Sequence, residues 1–263
     1  MEKNKTEFIE SSQVAIKGTA NGIVGSMLYE LFLTLFFAVL ATILIGIKNP
    51  GASSDELNML SNKFFDSFPL SIITTCLSSI VTLGVFVYLI GWDKIKRICK
   101  NLFTLKVLKY GISCAVVLML FSIIYNSSII SIFNLGDTGN ANQENVITLI
   151  KENILLGFVA VVILAPIVEE LTYRYCLFGG VYAKKRWLAY LTSGLVFMFM
   201  HSLSSFLTYG FSQELLLEMV YLPPYLFSGL ALCYVYEKSG NLGSGFIAHL
   251  LNNLVSFLAI VML

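Results

Sequence analysis

Seven segments of mostly apolar residues divide this chain, at about 23–47, 68–92, 110–135, 152–169, 187–207, 214–236 and 242–262. About 20 such residues in a helix reach across the hydrocarbon core of a bilayer. The expected fold class is therefore all-α: a polytopic transmembrane helical bundle of about seven spans. Composition agrees. Charged residues make up 13% of the 263 and hydrophobic residues 57%, with mean hydropathy +0.79. A soluble domain carries about 25% charged residues, so this chain has too little polar surface to cover a water-soluble globule. Pro69 opens the second span, Pro166 lies in the fourth, and Pro223-Pro224 break the sixth, which reads as one span or two half-helices.

Lysine and arginine set the orientation, because they gather on the cytoplasmic side. The loop 93–109 carries Lys94, Lys96, Arg97, Lys100, Lys106 and Lys109, whereas the alternate loops carry Lys48, Lys63 and Lys151. With the N-terminus inside, thirteen basic residues lie inside and three outside, Arg174 being set aside at a helix end. The expected protein is N-in and C-out, multi-pass in a membrane, and the Lys, Asn and Ile richness suggests a bacterial cell membrane. The net charge of +1 implies no nucleic-acid partner. The five cysteines are widely spaced, with no CxxC, and read as small apolar helix residues, Cys99 alone lying in a basic loop. No cleaved signal peptide is expected from residues 1–20, and no prenylation from a C-terminus without cysteine.

The turn-rich polar stretch 136–148 reads as a loop that divides the chain. Residues 1–150 form a three-span region with almost nothing ionisable in its spans. Residues 151–263 form a four-span region that holds nearly every polar anomaly. Ionisable groups in a span are costly, by about 2.5–3.5 kcal/mol on insertion scales, and usually mark a function. Both histidines of the chain, His201 and His249, lie in apolar helices of this second region. Glu170 and Arg174, four residues apart, share a helix face and neutralise each other. Glu169 points about 100° away and lacks that partner. Phe197 is a packing residue one turn from His201, and His249 and Asn253 share a face of the last helix. A hairpin at Lys184-Lys185-Arg186 brings Glu170 level with His201, about 22–24 Å from the turn at 1.5 Å per residue. His249 and Asn253 lie only about 12–18 Å from theirs, a mismatch in depth.

The chemistry suits amide hydrolysis. A carboxylate takes a proton from water, a histidine orients that water, and a second histidine with an amide donates to the oxyanion. Blander roles exist for each: a structural ion pair for Glu170 and Arg174, a backbone-bonded histidine, and interhelical hydrogen bonding for Asn253. Glu214 and Glu218 read as a solvated helix start, and Gly18, Gly22 and Gly25 as a helix-packing stripe.

Glu169-Glu170-x-x-x-Arg174, Phe197-x-x-x-His201 and His249-x-x-x-Asn253 occur in that order on apolar helices. This set resembles the CPBP family of intramembrane peptidases, the CAAX prenyl endopeptidases and bacteriocin-processing or bacteriocin-immunity (Abi-like) proteins, over about 155–257. The resemblance implies a cytoplasmically accessible site in which Glu169 and His201 activate water. His249 and Asn253 would form the oxyanion hole, and Glu170, Arg174 and Phe197 would support the site. It implies an endopeptidase acting on a peptide, lipidated or membrane-associated substrate. The family includes glutamate-type and metal-dependent descriptions. No HExxH is present, so no cofactor is favoured; were zinc bound, Glu169, His201 and His249 would be its ligands. Two other readings stand beside this one. One is a non-proteolytic interaction protein of the same fold, such as a bacteriocin-immunity factor or a sensor-kinase regulator. The other is a transporter, against which no inverted repeat is found.

Overall fold

The computed structural model describes residues 12–133 and 141–262. Among the described residues every regular element is helical, and seven helical segments are long and apolar enough to cross a membrane. Helix α1, Gln13–Lys48, runs through a π-helical turn at Asn21–Gly25. Ser53 then caps α2, Ser54–Ser67, its hydroxyl accepting from Glu56 N while Glu56 accepts from Ser53 N at 2.8 Å. Two donors left over at a helix start are thus satisfied reciprocally. Helix α3, Leu70–Ile90, follows Pro69 and stops at Gly91, whose φ of 92° suits glycine.

The basic stretch read as the loop 93–109 is helical at both ends: α4 spans Trp92–Lys100 and α5 begins at Leu105, running to Phe133. The expected polar loop 136–148 is also corrected. Residues 134–140 lie outside the described residues, but α6, Ala141–Glu152, is a helix. Its inward side carries Asn142, Gln143, Val146, Leu149 and Ile150, and its exposed side Glu144, Asn145, Thr148, Lys151 and Glu152. That spacing is the period of an amphipathic helix, and turn-forming residue types hid it.

The fourth span does not stop near Glu169. Helix α7, Ile154–Tyr182, continues through π-helical stretches at Phe158–Leu164 and Glu170–Phe178. Arg174 and Glu170 are 0% and 1% exposed, and their mutual neutralisation allows the segment to stay inside the bundle. Helix α8 is Arg186–Tyr209; α9, Gln213–Met219, and α10, Leu222–Ser239, divide the sixth span, with the prolines in the first turn of α10; α11 is Leu242–Met262. Proline is tolerated there because a first turn has no use for its missing N–H.

Close approach decides how the helices nest. A Cβ on Gly229 of α10 would lie 3.0 Å from Gly194 Cα of α8, so glycine on both lets α8 and α10 touch backbone to backbone. A Cβ on Gly18 or Gly22 would strike Cys176 or Thr172 of α7, which bears out the packing reading for those two, whereas Gly25 faces Asn21 and Tyr29 of its own helix. The bundle has two unlike ends. Residues 49–69, α6 and 210–221 form the α6 end, and residues 91–104, 183–185 and 240–241 form the α4 end. The α4 end is filled by a core of Phe86, Ile98, Cys176, Phe178, Tyr236 and Leu242.

Candidate active site

Three of the expected residues meet at one oxygen. Oε2 of Glu169 lies 3.6 Å from Nε2 of His201 and 3.8 Å from Nε2 of His249. It is buried and makes no hydrogen bond to a described residue. The ring orientations follow from the opposite nitrogens. Nδ1 of His201 lies 2.8 Å from the carbonyl oxygen of Phe197. A carbonyl only accepts, so Nδ1 carries the hydrogen and the neutral ring turns a lone pair at Nε2 toward Glu169. Nδ1 of His249 lies 3.1 Å from Oε1 of Glu170 and donates in the same sense.

Glu170 also lies 3.1 Å from Nη1 of Arg174. The expected ion pair is therefore formed by distance, yet none of the three guanidinium nitrogens is aligned for a hydrogen bond to a described residue. The cation instead faces aromatic rings, with its carbon 4.4 Å from the Phe197 centroid and 5.8 Å from that of Tyr173. Phe197, 2% exposed, is the wall shared by the whole site. Its ring is 4.2 Å from the His201 ring and 6.0 Å from the His249 ring. This also explains the mismatch in depth. Phe197, one turn before His201, lies beside both histidine rings, and Glu169 Oε2 lies within 3.6–3.8 Å of both Nε2 atoms. The His201 side chain slopes toward its helix N-terminus, as helical side chains do, and so reaches down to the same oxygen.

Asn253 has a structural task of its own. Its Nδ2 donates to the carbonyl of Val161 at 2.9 Å. In the π-helical stretch around Val161 the amide of Ala165 bonds Ala160, five residues back. The next donor in that register, for Val161, would be residue 166, a proline without an N–H. Asn253 supplies the missing donor, as neighbouring side chains do where proline interrupts a membrane helix. One amide hydrogen is spent on this bond and the other is left to the cavity.

Glu169, His201, His249 and Asn253 all line one cavity of about 280 Å³, which extends past Ser228, Asn252 and Ser256 to Asn142 and Gln143 of α6. Sequence reasoning missed two of its neighbours. The Tyr225 ring stacks on His201 at 4.9 Å and 28°. Glu218, expected to be solvated, accepts from Ser205 Oγ at 2.7 Å and from Ala141 N at 3.0 Å; Glu214 is exposed. Neither Tyr225 nor Glu218 had a spacing signal, because their partners are distant in sequence. A third omission is Glu237, which accepts from Arg186 Nε and Tyr182 Oη, both at 2.6 Å, and from Tyr190, clamping the 183–185 turn to the end of α10. In the first region, Glu30 of α1 accepts from Thr75 at 2.6 Å, an acidic group within a span.

The motif-bearing helices are thus assembled around one carboxylate, on the segment that the comparisons single out. Residues 151–255 match the family described as type II CAAX prenyl endopeptidase Rce1-like. The Rce1-like region contains α7 to α10 and most of α11, with every residue of the three motifs. This agrees with the CPBP resemblance of its three motifs. Two relatives from Lactococcus lactis subsp. lactis (strain IL1403) are similar. UPF0177 protein YaiF is 36% identical over 117 residues, 44% of this chain and 46% of the relative. UPF0177 protein YxdF is 30% identical over 128 residues, 49% of this chain and 60% of the relative. The chain spans about half the length of the curated relatives it matches. No solved structure matches the chain.

The Rce1-like region offers nitrogen and oxygen donors of the type zinc takes. Among the described residues, however, no three His, Cys, Asp or Glu side chains are placed to hold a metal ion together. No step below is routed through a metal.

Proposed function

We propose that this chain is an intramembrane endopeptidase that cuts a peptide or membrane-associated substrate with water activated by Glu169 and His201. One observation carries the reading: a carboxylate oxygen and the Nε2 atoms of two histidines face one another within 3.6–3.8 Å. The Glu169 oxygen and the lone pair of His201 Nε2 are facing acceptors and call for a donor between them. A water molecule held by Glu169 Oε2 and His201 Nε2 satisfies both, with its own lone pair free for a carbonyl carbon. Glu169 takes the proton as the water attacks and returns it to the leaving amine, which is general acid–base work.

Charge balance assigns the other partners. Glu169 and Glu170 carry two negative charges against one on Arg174. A second proton on His249, which lies between the two carboxylates, neutralises the group where net charge is costly. So protonated, His249 presents Nε2–H, and with the second amide hydrogen of Asn253 it forms a pair of donors for the oxyanion. Arg174 and Phe197 hold Glu170 and the rings in place. The distribution of lysine and arginine supports an N-terminus in the cytoplasm.

The test compares the N-termini of membrane and secreted peptides in cells that carry the wild-type chain, Glu169→Gln or His201→Ala. A shared set of cleavages should be lost in both variants, the cutting rate falling by about 10²–10⁴, while each variant stays in the membrane at wild-type level. Cleavages kept in either variant overturn the assignment. Full rescue of a deletion phenotype by Glu169→Gln would point to a binding role in place of proteolysis.

A further inference from the structure

We infer that Gly245 is a positioning residue of the site: its missing side chain lets the Glu170 carboxylate lie against α11 and so reach Nδ1 of His249, one turn further along the same helix face. The part this plays in cleavage rests on the peptidase reading; the placement of the carboxylate does not. The backbone at Gly245 does not ask for a glycine. It lies in the first turn of α11, and the positive-φ glycines among the described residues are Gly91, Gly210 and Gly240. What excludes a side chain is Glu170. A Cβ on Gly245 would lie 2.4 Å from Oε2 of Glu170 and 3.2 Å from its Cδ, whereas carbon and oxygen ordinarily approach to about 3.3–3.6 Å.

The neighbours decide which partner would yield. On the other side of α11, a Cβ on Gly111 of α5 would lie 2.9 Å from Ile247 and 3.0 Å from the carbonyl oxygen of Ser244. Helix α11 therefore has no room to back toward α5. Its first turn is also fixed to α10, because Ser244 Oγ lies 3.1 Å from Val235 O and 2.7 Å from Ser239 Oγ. The carboxylate, as the tip of a side chain, is the piece that can move.

That movement has a defined consequence. Oε2 of Glu170 makes no hydrogen bond to a described residue. Its place is set by the gap over Gly245 and by the grip on Oε1, which lies 3.1 Å from both His249 Nδ1 and Arg174 Nη1. To clear a Cβ, Oε2 must retreat by about 1 Å, and Oε1 moves with it. The bond from His249 Nδ1, stretched by that amount, is no longer a hydrogen bond. The ring is then free to turn, and Nε2 is no longer held 3.8 Å from Oε2 of Glu169. Gly245 thus acts through Glu170 and His249.

The bond can be read without any cleavage assay. His201 and His249 are the only histidines of the chain, so labelling histidine rings with 15N in the full chain, held in detergent micelles, gives two rings in the NMR spectrum, told apart with His201→Ala. Nδ1–H of His249 should exchange with water slowly in the wild-type chain and about tenfold or more faster in Gly245→Ala, as expected for loss of a hydrogen bond to a charged group. Nδ1–H of His201, bonded to the Phe197 carbonyl, should persist and so report a retained fold. Thermal midpoints give the second reading where Gly245→Ala folds poorly. The substitution should lower the midpoint of the wild-type chain but not that of Glu170→Ala, Arg174→Leu, in which the obstructing side chain is gone. An unchanged His249 signal, or an equal fall in both backgrounds, overturns the inference. On the peptidase reading, Gly245→Ala should also cut about ten- to a hundredfold slower, in kcat with KM kept. Unchanged cleavage beside a lost bond overturns its part in the reaction, whereas a wild-type chain that cuts nothing overturns the peptidase reading and leaves the placement of Glu170 standing on the two physical measurements.

Discussion

Nδ1 of His249 lies 3.1 Å from Oε1 of Glu170, so the hydrogen on that nitrogen points away from the cavity and Nε2 is the atom that His249 offers to it. Glu170 therefore does two things at once. It balances the buried guanidinium of Arg174 at 3.1 Å, and it sets the ring of a histidine on another helix.

Glu170→Gln should consequently cost more than its lost hydrogen bond. It leaves Arg174, 0% exposed, without a counter-charge, and breaking a buried pair this way costs about 3–5 kcal/mol. Thermal unfolding in detergent should show a large drop. The double variant Glu170→Gln, Arg174→Leu should recover most of it, because no buried charge remains. A double variant as unstable as the single one would refute the charge argument.

Dialysis against a strong zinc chelator should leave the cleavage rate of the purified chain unchanged, on any membrane peptide whose cut is lost in Glu169→Gln cells. The expectation follows from water held by Glu169 and His201 with no metal. Loss of activity on chelation and its return with zinc alone would reverse it.

Phe197→Leu removes the ring between the Arg174 cation and both histidines. Aromatic pairing and a desolvated cation–π contact together predict a loss of about 1–3 kcal/mol in stability. Cleavage should fall by roughly ten- to a hundredfold, since small displacements of catalytic groups are costly, with the change in kcat rather than KM.

Gly22→Ala should destabilise by about 1–3 kcal/mol through overpacking, because the new Cβ strikes Thr172. Gly84→Ala is the control: nothing lies within 4 Å of a Cβ there. In the interior of α3 alanine should be neutral or stabilising by up to about 1 kcal/mol. Unfolding midpoints of the two variants, measured side by side, separate close packing from helix propensity.

The spans were legible because burial in lipid imposes a local rule, an uninterrupted run of apolar residues, and α3, α8 and α11 begin and end within about two residues of their sequence limits. The break at Pro223-Pro224 was legible for the same reason, since a missing N–H acts on its own helix. The motif residues declared themselves as polar groups in apolar helices, and the Glu170–Arg174 pair is set by i,i+4 spacing alone. Helix α6 was read as loop because its polar, turn-forming residues outweighed its amphipathic period. The extension of α7 past Glu169 was hidden because the charges in it are neutralised in place. The meeting of Glu169 with His201 and His249, the help Asn253 gives the carbonyl beside Pro166, and the stacking of Tyr225 on His201 were decided by tertiary structure. Each joins residues 24 to 92 positions apart. The sequence by itself determined which segments enter the membrane and which of their residues are out of place there. Only the packing of α7, α8, α10 and α11 decided which of those residues share an oxygen and which end of the bundle their cavity faces. Those contacts depend on helix tilt, rotation and close backbone approach, which arise between helices and leave no local period in any one of them.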